Sequence, residues 1–309
     1  MRTHATQAIY DLAREHAEVL ALTADSREGA LARMAVEMPT RAIEYGIAEA
    51  NMVASAAGLA SCGKIPFVYT RTNFLVMRAY EFIRNDVCAA RLPVKLVASS
   101  TGLAAYSMGL THHGTEDLTL LRSLPDMVVM TASSPLEAGL AVKAMYALEG
   151  PAYLRVEGNG EKELYEPGYV FTPGRATLLR QGRDASIIAS GGILTEALEA
   201  AELLQAQLGM DVRVINMHTV KPIDRDCILE CARDTGAILT LEEHSVYGGL
   251  GGAVAEVLAG NGQGTAFAMT GLTGFCTDCG RTRQDLRERT GLSARHIAQR
   301  LQSLVKSAR

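Results

Sequence analysis

Gly46-Ile47-Ala48-Glu49-Ala50-Asn51-Met52, running on as Val53-Ala54-Ser55-Ala56-Ala57-Gly58-Leu59-Ala60, sets a single carboxylate at the mouth of an apolar, small-residue stretch. The spacing predicts a helix over 46–60. A carboxylate among apolar side chains is unfavourable unless its pKa rises or a partner needs it. Glu49 would lie near the positive end of the helix dipole, an ordinary place for an acid. A catalytic carboxylate fits the same position, so the surrounding chain has to decide between the two.

Upstream, Thr6, Ile9, Tyr10, Leu12, Ala13, Ala17 and Leu20 recur at helical spacing, and Glu18 to Ala24 reads as a short buried strand ending at Asp25. Downstream, strands are expected at Ile65–Tyr69, Pro93–Ala98 and Asp126–Thr131, with one long helix over Phe74–Arg91. Ser133-Ser134-Pro135-Leu136-Glu137 carries the capping chemistry of a helix start. The stretch from Tyr165-Glu166-Pro167-Gly168 to Thr172-Pro173-Gly174 is the richest in Pro and Gly and reads as a linker. Beyond it the alternation restarts, with strands at 185–189, 211–216 and 237–241 and helices at 194–208 and 224–235. Short apolar strands alternating with helices imply parallel sheets covered on both faces. The fold class expected is therefore α/β, as two three-layer domains with mostly parallel sheets over 1–165 and 174–309.

At 309 residues, with 48% hydrophobic and 21% charged content, the chain can build two cores. A formal net charge of −4, without clustered Lys and Arg, argues against nucleic acid as a partner. Its apolar runs are too short to span a membrane, and the start lacks the apolar stretch of a signal peptide, so a cytoplasmic location is expected. Six cysteines at scattered spacing do not make a disulfide framework. Cys276-Thr277-Asp278-Cys279 is a lone C-x-x-C, half a zinc site or a redox pair; with no second such pair nearby, no metal site is assigned. Gly248-Gly249-Leu250-Gly251-Gly252 opens a helix without matching a phosphate-binding fingerprint, and reads as a tight turn with close packing.

A second polar cluster is Gly109-Leu110-Thr111-His112-His113-Gly114-Thr115-Glu116-Asp117. Adjacent histidines in a glycine-flanked loop suit proton transfer near neutral pH, or they cap a helix starting near Asp117.

Taken in order, Ala24-Asp25, Gly46-Ile47-Ala48-Glu49, Pro66-Phe67 with Phe74 and Arg78-Ala79-Tyr80-Glu81, and Thr111-His112-His113 resemble the pyrimidine-binding domain of transketolases. Arg78-Ala79-Tyr80 with Leu92-Pro93-Val94 also resembles 1-deoxyxylulose-5-phosphate synthase. Val214 through Asp224, and Leu241-Glu242-Glu243-His244 with Gly248-Gly249-Leu250-Gly251, resemble the transketolase C-terminal domain. The resemblance implies a thiamine diphosphate enzyme in which Glu49 hydrogen-bonds N1′ of the cofactor's aminopyrimidine. It further implies that Asp25 and Ile47 line the pyrimidine site, that Phe74 stacks on the ring, and that His112 stands over the reacting carbon, with His113 beside it.

Transketolases hold the diphosphate and its magnesium through a Gly-Asp-Gly motif on a preceding domain, and this chain has none. The resemblance thus implies the C-terminal subunit of a split transketolase, sharing its cofactor with an N-terminal partner in an α2β2 heterotetramer and moving a ketol unit between sugars. An acyloin-forming synthase using a keto acid, or a regulatory paralogue, are the alternatives. Three positions depart from the family pattern. Met108 replaces an Asp, Arg71 stands where a ring-packing Phe is usual, and Glu157 or Gly158 replaces a phosphate-binding Arg. Substrate contacts are therefore expected from Arg71, Met108, His112 and His113, with ordinary pentose phosphates disfavoured.

Overall fold

The computed structural model describes residues 1–158, 160–262 and 264–307. The first half runs α1 (Arg2–Glu15), β1 (Val19–Thr23), α2 (Ala30–Glu37), β2 (Ala42–Glu44), α3 (Glu49–Ser61), β3 (Ile65–Arg71), the short α4 (Tyr80–Phe82), β4 (Lys95–Ser99), α5 (Asp117–Arg122), β5 (Val128–Thr131), α6 (Pro135–Tyr146) and β6 (Ala152–Arg155). The second half continues with β7 (Thr177–Arg180), β8 (Ala185–Ser190), α7 (Leu194–Leu208), β9 (Val212–Asn216), β10 (Thr219–Lys221), α8 (Arg225–Thr235), β11 (Ala237–Ser245), α9 (Leu250–Ala259), β12 (Ala266–Leu272), α10 (Arg283–Arg289) and α11 (Ala294–Ser307).

Two sheets result, one of seven strands in the order β10-β5-β6-β4-β3-β1-β2 and one of five in the order β12-β11-β8-β9-β7. All pairings are parallel except β10 with β5 and β7 with β9. Alternate residues of each strand serve opposite cores: in β3, Val68 packs on one face while Phe67 and Tyr69 pack on the other. The central strands are buried on both faces, which is why they read as mostly apolar runs. No described helix is long and apolar enough to cross a membrane.

Several local expectations are met by named contacts. Ser134 caps α6, accepting from the Glu137 backbone N–H at 3.3 Å, and Glu137 Oε2 accepts in return from Ser133 N at 2.7 Å. The glycine run at 248–252 is a close-packed helix start, and its free N–H groups are used internally. Leu250 N and Gly251 N donate to the Glu242 carboxylate at 2.7 and 2.8 Å, and a Cβ on Gly249 would fall 2.0 Å from Glu242 Oε2.

Others need correction. The expected helix over Phe74–Arg91 is broken into π-helical turns at Phe74–Arg78 and Ile83–Cys88 around α4. Periodicity sees the apolar face but not the extra residue that a π turn inserts. α1 ends at Glu15 rather than near Leu20. The helix expected over 46–60 runs from Glu49 to Ser61, with Met52, Val53, Ala56, Ala57 and Ala60 all buried within this chain.

Candidate active site

The carboxyl ends of β1, β2, β3 and β4 open on one edge of the seven-stranded sheet, where parallel α/β folds place their ligands. β1 ends at Thr23, and two residues on Asp25 turns out in the left-handed region (φ 46°), exposed to solvent. Its backbone N–H donates to Glu44 Oε1 at 2.7 Å. The Glu44 carboxylate also accepts from Gly46 N at 3.0 Å and from Thr23 Oγ1 at 2.7 Å. Glu44 therefore sets the turn that delivers Gly46 and Glu49, a role no motif in the sequence announces.

Glu49 opens α3 and is 3% exposed. Arg78 Nη1 donates to its Oε2 at 3.1 Å, and no described residue hydrogen-bonds its Oε1. The same guanidinium lies over the Phe74 ring, 4.2 Å from its centroid. Phe74 in turn meets His112 edge-on, with ring centroids 5.2 Å apart. Glu49, Phe74 and His112 are thus brought together through Arg78, which sits four residues beyond Phe74 on the π-helical turn.

The histidine loop is pinned to that turn. Asn73 Nδ2 donates to the carbonyls of Thr111 and His113, both at 3.0 Å. His112 is half-buried, with Nδ1 2.9 Å from Thr111 Oγ1. Burial, with the Arg71 charge adding, holds its pKa below the usual imidazole value, so it is neutral and able to accept a proton at pH 7. His113 is buried, with Nδ1 2.9 Å from the Cys276 carbonyl in the second half. A carbonyl can only accept, so Nδ1 carries the hydrogen, and Nε2 is a buried acceptor without a partner. Neither histidine caps α5.

Arg71, at the end of β3, donates to Ser100 Oγ at 2.9 Å and lines a cavity of about 430 Å³ together with Asp25, Arg2, Arg27 and Glu44. Ile47 (73% exposed), Met108 (48%), Met77 and Leu110 are open to solvent and are not among the residues that line this cavity.

Glu157 does not face this cavity. It is buried, accepts from Gly192 N at 2.8 Å and pairs with Arg283 Nη1 at 2.5 Å across the two halves. Arg155 is likewise structural: Nε donates to Asp117 Oδ2 at 3.0 Å, and Nη2 to the carbonyls of Gly114 and Glu243 at 2.8 and 2.9 Å.

Histidines that the site does not use affect the pH response. Burial holds His218 and His244 near a pKa of about 4. The unfolded chain takes up these protons near 6.5, so each histidine contributes stability above that value which is lost as pH falls towards 4. Glu242 opposes them, since burial raises it to about 7 and the fold then retains a proton that the unfolded chain releases near 4.5. Replacing His218 with Gln is expected to flatten the rise of unfolding free energy between pH 4 and 6.5 by up to one proton. Urea titrations at a series of pH values measure it, and a slope equal to wild type would remove His218 from this account.

Comparison with known proteins was decided by two matches. Residues 1–159 match the transketolase pyrimidine-binding domain and residues 174–297 the transketolase C-terminal domain. The chain belongs to the transketolase family. It is 38% identical over 93% of its length to a 6-deoxy-6-sulfo-D-fructose transketolase subunit of Clostridium sp., covering 90% of that protein. It is also 38% identical over 97% of its length to a 1-deoxy-D-xylulose-5-phosphate synthase of Geobacter metallireducens, of which it spans 48%. A solved split-gene transketolase, described as an inactive β4 tetramer, superposes with a TM-score of 0.90 at 38% identity, over 100% of this chain and 99% of that one. The chain is accordingly a subunit of a thiamine diphosphate-dependent, transketolase-like transferase.

Proposed function

We propose that this chain is the pyrimidine-binding half of a two-subunit cytoplasmic transketolase. A separate N-terminal subunit supplies the diphosphate site with its Mg2+, and two copies of each form the working tetramer. The assembly moves a two-carbon ketol unit from a ketose with an anionic terminus to an aldehyde acceptor. The observation that carries this reading is the Glu49–Arg78–Phe74–His112 cluster on an open sheet edge. Arg78 offers Glu49 a hydrogen-bond donor and Phe74 a flat cationic face. A flat heteroaromatic ring bearing a protonated nitrogen meets the same two partners, so these residues fit the aminopyrimidine of thiamine diphosphate. When bound, the cofactor supplies the carbon nucleophile.

In this reading Glu49 holds the proton at the pyrimidine ring nitrogen, and Phe74 packs on the ring with Ile47 and Asp25 at its border. Neutral His112 exchanges a proton with the substrate oxygen, while His113 Nε2 accepts from a substrate hydroxyl. Arg71, beside Arg2 and Arg27, receives the donor's anionic end, and Met108 lies where the donor's hydroxyls would be read. Ile47, Met77, Met108 and Leu110 are large apolar side chains left exposed in the first half, as on a surface that another subunit covers. The inactivity of the β4 assembly in the solved relative supports the need for a second kind of subunit.

Two expectations test this. Calorimetry on the isolated chain should show weak binding of thiamine diphosphate with Mg2+, tightened by the N-terminal subunit, because half a site lacks the charges that match a diphosphate. Tight binding to the chain alone would contradict the shared site. With the assembled enzyme, xylulose 5-phosphate should be a poor donor, improved by Met108→Asp. Arg71→Ala should raise KM for the preferred anionic donor by about tenfold or more, as loss of a charge-assisted hydrogen bond implies. A donor panel including 6-deoxy-6-sulfo-D-fructose and a keto acid separates this reading from the acyloin-forming alternative. Turnover of the keto acid with loss of carbon dioxide, and of no ketose, would favour the latter.

A further inference from the structure

The C-x-x-C segment at 276–279 follows β12 in the second half, where Arg289 holds the Asp278 carboxylate at 2.9 Å and the Cys279 carbonyl at 3.0 Å, and it also touches the histidine loop of the first. The Cys276 carbonyl holds His113 Nδ1 at 2.9 Å, and Gly280 N donates to Tyr106 O at 2.7 Å. Cys279 Sγ lies against Gly109, whose backbone is left-handed (φ 75°) and where a Cβ would approach the sulfur to 3.2 Å. Gly109 and His113 bracket His112. Both cysteines are free thiols, Cys279 exposed and Cys276 half-buried, and among the described residues no third His, Cys, Asp or Glu joins them in a metal-binding group.

We propose that Cys276 and Cys279 are a hydroperoxide-sensitive dithiol whose closure to a disulfide displaces the His112–His113 loop and switches the site off. The exposed Cys279 thiolate attacks the terminal peroxide oxygen, the O–O bond breaks and an alcohol, or water from hydrogen peroxide, departs, leaving a sulfenic acid. The Cys276 sulfur then attacks the Cys279 sulfur, the S–O bond breaks and water leaves, carrying the thiol proton. Two thiols are oxidised by two electrons and one peroxide is reduced, so the reaction balances. Burial pushes the Cys276 thiol up, which suits it to the second, resolving step rather than the first. In the proposed closure the two Cβ atoms come within roughly 3.5–4.5 Å, Cys279 leaves Gly109, and the Cys276 carbonyl that orients His113 shifts with it. A displacement of about 1 Å at a catalytic loop lowers turnover by up to about 100-fold.

The effect on activity rests on the role given to this loop above, whereas the thiol chemistry does not. The full chain, alone and assembled with its N-terminal subunit, is titrated with hydrogen peroxide and then treated with dithiothreitol. Each stage is read by non-reducing peptide mapping, by the histidine NMR signals and, for the assembly, by ketol transfer. The expected result is a Cys276–Cys279 disulfide, a shifted His113 signal and a loss of transfer of at least tenfold, all reversed by reductant and all absent in Cys279→Ser and in Cys279→Ala. Dimedone trapping of Cys279 in Cys276→Ser is expected to capture the sulfenic acid. Oxidation confined to the exposed Cys62, or a disulfide with an unmoved His113 signal, overturns the proposal. An assembly that forms the disulfide and moves His113 but shows no transfer before oxidation counts against the ketol-transfer reading instead.

Discussion

Glu49→Gln in the assembled enzyme is expected to lower turnover by on the order of 10²-fold or more, with the unfolding midpoint unchanged. Glutamine fills the same volume at the start of α3, and its amide oxygen can still accept from Arg78 Nη1, which now donates to Glu49 Oε2 at 3.1 Å. Packing and helix start are therefore kept. What is lost is a carboxylate able to hold and return a proton at Oε1, the oxygen with no described partner. In the role proposed for Glu49 that exchange belongs to the chemical step, so the loss should fall on kcat more than on the donor's KM. Glu49→Asp, which keeps the charge but withdraws it by one methylene, should fall between the two. Turnover of Glu49→Gln within a few-fold of wild type would leave Glu49 as a structural acid at a helix dipole.

The largest loss of stability is expected at Arg155, where replacement by Met should destabilise the chain by about 3–5 kcal/mol. Arg155 and Asp117 are both fully buried and joined at 3.0 Å. Without the guanidinium, Asp117 keeps Tyr153 Oη as a donor at 2.5 Å but has no cation against it. Two carbonyls, those of Gly114 and Glu243, each lose the Arg155 donor as well, although Gly114 keeps Gly102 N at 2.7 Å. Converting Asp117 to Asn in the same chain should recover part of the loss by removing the stranded charge. Urea unfolding gives both numbers, and a loss for Arg155→Met below about 1 kcal/mol would mean that water reaches Asp117 in compensation.

The contrast between these residues shows what the sequence could disclose. The buried strands were legible because a parallel sheet covered on both faces demands apolar runs such as Met127-Val128-Val129-Met130. Glu49 was legible as an acid out of place, and His112 by its glycine-flanked neighbourhood. Arg78 appeared in a recognised motif, but its partner lies 29 residues away and its reach depends on a π turn that 3.6-residue spacing cannot register. His113 leans on a carbonyl 163 residues distant, and local chemistry held no sign of it. Glu157 was misleading in another way: its place near a family substrate contact suggested the cavity, whereas Arg283 draws it into the seam between the halves. Pairwise attractions over such separations are decided only after the sheets have assembled.

Thr219–Lys221 leaves the second half to pair antiparallel with β5, and so closes one edge of the first sheet. During synthesis the other six strands of that sheet are complete by Arg155, well before this seventh strand emerges from the ribosome. The nascent first half therefore waits with the Val128–Thr131 edge bare, and such an edge recruits strands from neighbouring chains. A protein cut at the linker would keep that vulnerability for good, so a fragment of residues 1–165 would aggregate even though it retains Glu49, Phe74 and His112.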